Sequence, residues 1–190
     1  MKPVVKKSFL KENFPKENFL KEKLLPLSLT AFVILVDQIT KAIIVKIQPN
    51  HPSFITQVFN NDFLQIIHVR NPAIAFSVGR NLPEQFRPFL FIIVPILVLC
   101  FLIWYFFKSN DFTLFQRWLA AGIIGGGFGN IIDRIFRKEG VVDFIDVKFY
   151  GIFGWQRWPT FNIADAAVVV CCILLLIAIF LPAKKEKENE

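Results

Sequence analysis

Four runs of about 20 mainly apolar residues, at 24–47, 88–107, 113–136 and 161–181, constrain this chain more than any other feature. A run of that length crosses the hydrocarbon core as a helix, because lipid offers no partner for an open backbone N–H or C=O. The run 88–107 contains no charged residue, and 113–136 is rich in glycine. Composition agrees: 54% of the 190 residues are hydrophobic and the mean hydropathy is +0.50. Little remains for a separate soluble unit. The expected fold class is an all-α integral membrane protein with four transmembrane helices. One membrane domain over 24–181 is flanked by a basic arm, 1–23, and a charged tail, 182–190.

The net charge of +7 excludes little by itself, but its placement is informative. Lysines crowd the two ends, at Lys2, Lys6, Lys7, Lys11, Lys16, Lys21 and Lys23 and again at Lys184, Lys185 and Lys187. That is the positive-inside pattern of a multi-pass protein with both termini in the cytoplasm, not a nucleic-acid footprint. Lys108, in the short second connection, fits the same orientation. The connections 48–87 and 137–160 then lie outside. Cys100, Cys171 and Cys172 all fall within apolar runs and read as packing residues rather than a disulfide framework or metal site.

The first outer connection alternates apolar runs with turn residues. Strand-like stretches at 54–59, 63–69 and 73–78 are separated by Asn60-Asn61-Asp62 and Arg70-Asn71-Pro72. They predict a small β-sheet on the outer face. A short interfacial helix follows over 82–87, with Pro83 suited to a first turn. The second outer connection carries Phe149, Tyr150, Phe153, Trp155 and Trp158, an aromatic belt at headgroup depth.

Polar residues inside the apolar runs narrow the function. Asp37 and Lys41 are one helical turn apart and predict a buried ion pair that supports the bundle. Gly122 and Gly126 have the four-residue spacing that lets helix backbones approach closely. Asn130, Asp133 and Arg134 share one turn, suited to a charge pair or to anchoring a peptide backbone. Asp143 and Asp165 fall on the outer side, one after the third span and one at the start of the fourth. Two carboxylates meeting in a low-dielectric site share a proton, leaving one base and one acid. A water between them can attack a peptide carbonyl without a metal. Only two histidines exist, and neither a metal-binding His-Glu-x-x-His nor a Gly-x-Ser-x-Gly is present.

Five segments, in order, resemble the lipoprotein signal peptidase (signal peptidase II) family of bacterial intramembrane aspartic proteases. They are Asp37-Gln38-Ile39-Thr40-Lys41, Asn71-Pro72-Ala73-Ile74-Ala75-Phe76-Ser77, the stretch from Gly126 to Arg134, Val141-Val142-Asp143-Phe144 and Phe161-Asn162-Ile163-Ala164-Asp165. The resemblance implies removal of the signal peptide from diacylglyceryl-modified prolipoproteins by cleavage before the lipid-modified cysteine, with no cofactor and no metal. It implies Asp143 and Asp165 as the catalytic pair, and Asn71, Asn130, Arg134 and Asn162 as substrate-binding residues. Asp37, Lys41, Gly122, Gly126, Asp133, Val141 and Ala164 take supporting positions. The implied setting is the bacterial inner membrane, with the site on the outer face and a monomer working among membrane lipids. Two rival readings remain in view: a small ion- or proton-coupled transporter with Asp37, Asp133 and Asp165 as relay, and a non-catalytic scaffold. A transporter would place ionisable groups near the midplane of repeated halves; this chain shows no repeat and clusters them outward.

Overall fold

The computed structural model describes residues 19–58, 62–72, 83–86 and 88–180. Four helices of membrane length are present, over Leu20–Ile47, Phe89–Lys108, Leu114–Phe136 and Ile163–Phe180. The first opens with a wide π-type turn, Leu20–Leu24, before the regular helix α1, Leu27–Ile47. The second opens likewise over Phe89–Ile93 before α2, Val94–Lys108. The third, α3, Leu114–Phe136, is capped by a reciprocal pair: the Thr113 hydroxyl accepts from the Gln116 N–H, and the Gln116 side chain accepts from the Thr113 N–H. The fourth, α4, is Ile163–Phe180.

These spans match the four sequence runs, with shifted ends. The first helix extends back through Lys21 and Lys23, whose long stems carry charge away from an apolar helix. The fourth begins later, at Ile163, because Phe161 is paired to Ile145 and Asn162 caps the helix. The basic arm and charged tail lie mostly outside the described residues.

Helix α3 is the hub and packs against each of the other three. More than half of it is buried, whereas α2 and α4 turn most of their apolar side chains outward to lipid. Glycine makes the close approach possible. A Cβ at Gly126 would collide with the Ala164 carbonyl oxygen and meet Val168 Cγ2 at 2.7 Å. One at Gly122 would run into Cys171 Sγ. Both glycines therefore serve packing.

A three-stranded antiparallel sheet closes one end of the bundle in the order β1-β2-β3. Its strands are β1, Ser53–Val58, β2, Leu64–Asn71, and β3, Val141–Val147. The third strand comes from the connection between α3 and α4. The expected strand at 73–78 lies outside the described residues, as do parts of the expected helix at 82–87, where a single 3-10 turn, Glu84–Phe86, is present. Asn71, expected in a break, is the last residue of β2 and pairs with Val141, while Val69 pairs with Asp143. The free edge of β3 is covered by the chain returning to α4, through bridges Ile145 to Phe161 and Lys148 to Arg157. Ile44, Val142 and Phe144 form the buried joint between α1 and the sheet, with Ile55, Ile66 and Ile163 packed around them.

At the opposite end, Phe106, Ala120, Ala121 and Ile124 pack together. There the buried Arg117 donates to the Phe106 and Ser109 carbonyl oxygens at 2.8 and 2.9 Å. It satisfies carbonyls that the C-terminus of α2 leaves open and places a cation at the negative end of that helix.

Candidate active site

Asn162 organises the site. Its side-chain oxygen accepts from the Asp165 N–H at 2.9 Å, and the Asp165 carboxylate accepts from the Asn162 N–H at 3.2 Å. This reciprocal box starts α4 and fixes the Asp165 carboxylate against the first turn. The Asn162 amide also donates to Asp143 Oδ1 at 2.7 Å and lies 3.1 Å from Asn130 Oδ1. One asparagine thus touches both aspartates. Asn71 donates to the other Asp143 oxygen at 3.0 Å, and Asn130 donates to Asp165 Oδ1 at 2.7 Å. Each carboxylate is held by two neutral donors. Among the described residues, neither forms an ion pair.

Asp143 is only 2% exposed, whereas Asp165 is partly open. Burial, and after it the negative charge of Asp165, pushes the Asp143 carboxyl up to about 7, against the opposing pull of the Asn71 and Asn162 donors. A carboxyl poised there near neutrality holds or releases a proton with little driving force either way, which suits acid–base work.

A second pair of carboxylates lies just beneath. Lys41 Nζ contacts Asp37 at 2.8 Å and Asp133 at 3.0 Å, and donates to Asn130 Oδ1 at 3.1 Å; Asp37, Lys41 and Asp133 are all fully buried. Asp37 also accepts from the Ala164 N–H at 3.0 Å, and Asp133 from the Val142 N–H at 3.1 Å. Ala164 directly precedes Asp165, and Val142 directly precedes Asp143. Each member of the outer pair is therefore set by a backbone amide pinned to a member of the inner pair, and Lys41 ties the two pins together. Glycine keeps this layer tight: a Cβ at Gly129 would sit 2.7 Å from Asp37 Oδ2 and 3.0 Å from Ala164 Cβ.

Comparison with known proteins identifies the family. The family model described as Signal peptidase (SPase) II matches residues 29–181. The chain belongs to the signal peptidase II family. It is 44% identical over 164 residues to the lipoprotein signal peptidase of Treponema pallidum (strain Nichols), covering 86% of each chain. It is 46% identical over 166 residues to the lipoprotein signal peptidase of Treponema denticola, covering 86% of this chain and 93% of that one. A bacterial membrane enzyme solved by the in meso method at 2.3 Å resolution superposes with a TM-score of 0.69 at 30% identity, over 87% of this chain and 93% of the other. The chain is a multi-pass bacterial membrane protein and an aspartic-type protease.

In this signal peptidase II family member, the residues expected at the site fall into three groups. Asp143, Asp165, Asn71, Asn130 and Asn162 form one hydrogen-bonded cluster. Asp37, Lys41, Asp133, Val141 and Ala164 lie below and beside it, all buried, with Gly122 and Gly126 in the helix contacts. Arg134 stands apart. Among the described residues it makes no hydrogen bond, yet it lies within electrostatic reach of Asp165 and Asp143. It lines a groove of about 280 Å³ with Asn71, Pro72, Phe91, Ile92 and Arg137. That groove combines an apolar wall with cationic and amide groups.

Two contributors went unread in the sequence. Gln38 donates to Asp133 at 3.0 Å and to the Gly129 carbonyl at 3.0 Å, and Arg137 pairs with Asp133 at 3.1 Å. The four-residue spacing of Asp133 and Arg137 carried that signal. The three-residue spacing of Asn162 and Asp165, a capping-box spacing ahead of an apolar run, was legible too.

Proposed function

We propose that this protein removes the signal peptide from diacylglyceryl-modified prolipoproteins, cleaving before the lipid-modified cysteine, with Asp143 and Asp165 as the catalytic pair. The observation that carries the assignment is their convergence on Asn162, with no cation bonded to either among the described residues. Of the two, Asp143 is the more buried and is poised to hold a proton near neutral pH.

In this reading one carboxylate takes a proton from a water whose oxygen attacks the scissile carbonyl carbon. The protonated partner gives its proton to the carbonyl oxygen, yielding a neutral gem-diol. As the diol collapses, a proton passes to the amide nitrogen, the C–N bond breaks, and the pair again holds one proton. Asn71, Asn130, Asn162 and Arg134 bind and orient the peptide. Asn130 and Asn162 also keep the carboxylates apart from Lys41, whose charge is neutralised by Asp37 and Asp133. The substrate's acyl chains remain in the outer leaflet, so the lipid positions the scissile bond and lowers the entropic cost of alignment. Both termini face the cytoplasm, the sheet end faces outward, and the working unit is a monomer among membrane lipids.

The transporter reading is set aside. The family and the relatives are peptidases, and the ionisable cluster lies at one end of the bundle rather than at its midplane. The test is incubation of purified protein with a diacylglyceryl-modified prolipoprotein, beside its unlipidated form. Release of the signal peptide from the lipidated form alone is expected. Equal cleavage of both forms would remove the lipid from the mechanism.

A further inference from the structure

The hairpin between β3 and the return strand to α4 ends in an unusual tip. Residues Tyr150 and Gly151 have φ of 53° and 82°, and Phe153 and Gly154 repeat those values. The Ile152 N–H donates to the Phe149 carbonyl at 3.0 Å, and the Trp155 N–H to the Ile152 carbonyl at 3.1 Å. Two successive turns of the left-handed, type I′ kind follow one another. The first central position of such a turn is favourable for Asn, Asp or Gly. Here it is twice an aromatic residue, whose Cβ is crowded in that conformation.

The strain is not offset by burial inside the protein. Phe153 is 88% exposed, Tyr150 65% and Ile152 51%. Tyr150 keeps contacts with the Phe63 ring and the Lys148 ammonium, so the exposed ring of the tip is Phe153; in water, a strained backbone presenting it loses on both counts. Strain held at an exposed apolar tip points to a use for that tip. The backbone is also prepared for a dry setting. Phe149, Gly151, Ile152, Gly154 and Trp155 all donate their N–H groups to carbonyls within the hairpin. At the base, Lys148 and Arg157 are neutralised by Asp62 and Asp146, so the hairpin neck carries no net charge. The hairpin is also tethered to the membrane. Its return strand reaches Asn162, at the start of a spanning helix, only eight residues after Gly154.

We propose that this tip, Tyr150 to Gly154, inserts into the outer leaflet of the bilayer, with the Phe153 and Ile152 side chains among the acyl chains. The tip anchors the free end of the sheet to the lipid surface in which a lipid-modified substrate must travel. Its role toward substrate rests on the function proposed above; its insertion does not. Because the base is charge-neutral, insertion is driven by apolar burial and is indifferent to anionic lipid.

The test uses the full-length protein, with a fluorescent amino acid incorporated at position 153, in vesicles of zwitterionic phosphatidylcholine and in vesicles with added phosphatidylglycerol. Lipids carrying a doxyl quencher on the acyl chain should quench the probe strongly, aqueous iodide weakly, and equally in both compositions. Strong iodide quenching with no doxyl quenching would overturn the proposal. Protection from both quenchers that disappears as protein is diluted in lipid would assign the tip to contact between copies, and would overturn it as well. These readouts need no catalysis, so they stand even if no peptidase activity is found. An Ile152→Ser/Phe153→Ser variant should show a several-fold higher KM for lipidated precursor in vesicles with kcat little changed. An unchanged KM would sever the anchor from substrate capture.

Discussion

Two pairs of carboxylates lie one above the other in this protein, and they are handled in opposite ways. The inner pair, Asp37 and Asp133, shares Lys41 at 2.8 and 3.0 Å and is fully buried. The outer pair, Asp143 and Asp165, receives only amide donors among the described residues. A buried carboxylate paired with a cation holds structure, because removing either partner leaves a buried charge unpaired. One with only neutral donors keeps a proton within reach and is free to do chemistry. Under the proposed function, the same residue type serves architecture or reaction according to whether a lysine lies beside it. The two layers are also mechanically joined, because the inner carboxylates grip the backbone amides of Ala164 and Val142 next to the outer pair.

The comparison breaks most visibly if the layers exchange phenotypes. In cells, Asp165→Asn should leave protein in the membrane while uncleaved, lipid-modified precursor accumulates. The rate loss should reach at least about a thousand-fold, since asparagine keeps the shape but cannot take a proton. Normal processing, seen as a mature-size lipoprotein on gels, would place the chemistry elsewhere. Chelators should leave cleavage intact.

Lys41→Met should act in the other direction. It leaves the buried Asp37 without its cation and Asp133 with Arg137 alone, and should cost about 3–5 kcal/mol of stability, read as a lowered thermal midpoint in detergent. Activity should fall only as far as folded protein is lost and the two amide grips loosen. A fully stable Lys41→Met protein with no turnover would move Lys41 from support to reaction.

Acidity sharpens the contrast further. Folded, Asp143 keeps its proton up to about 7, whereas its ordinary value is 3.8. The folded state therefore binds the extra proton between those values, and stability should decline as pH rises from about 4 to about 7. Asp143→Asn should flatten this slope. Cleavage in the native protein should also fall above about pH 7, as the shared proton is lost. A slope unchanged by the substitution would show that Asp143 titrates normally. The smallest effect belongs far from either layer: Thr113→Ala removes a helix cap and should cost about 1 kcal/mol, with cleavage unchanged in an assay below the melting range.

The four spans were legible because lipid imposes a length and a composition that no other setting demands, and the second span, Phe89–Lys108, is the plainest case. The sheet was legible only in part. Its third strand, Val141–Val147, reads as a short apolar run with two aspartates in it, and nothing local tells a strand from a loop there. Its pairing with β2 depends on contacts between residues 70 to 83 positions apart. The aspartates were legible as rare intramembrane charges, and Asp37 with Lys41 as a helical pair. The link from Lys41 across to Asp133 on another helix was not, since helical spacing within one segment says nothing of its neighbour's rotation. The strained tip at Tyr150 and Phe153 also lay beyond reach, because an aromatic belt and a left-handed turn have no common sequence signature.

The central claim is that the uncompensated outer pair performs the reaction and the compensated inner pair holds it in place. It is tested most directly with purified Asp143→Asn protein and a diacylglyceryl-modified prolipoprotein, recording released signal peptide and thermal midpoint on the same sample. The account predicts no release above background, with a midpoint at neutral pH equal to or above that of the unsubstituted protein, because a poorly solvated acid has been replaced by a neutral amide. Release at a rate within ten-fold of the unsubstituted protein, or a midpoint collapse like that expected for Lys41→Met, would contradict it.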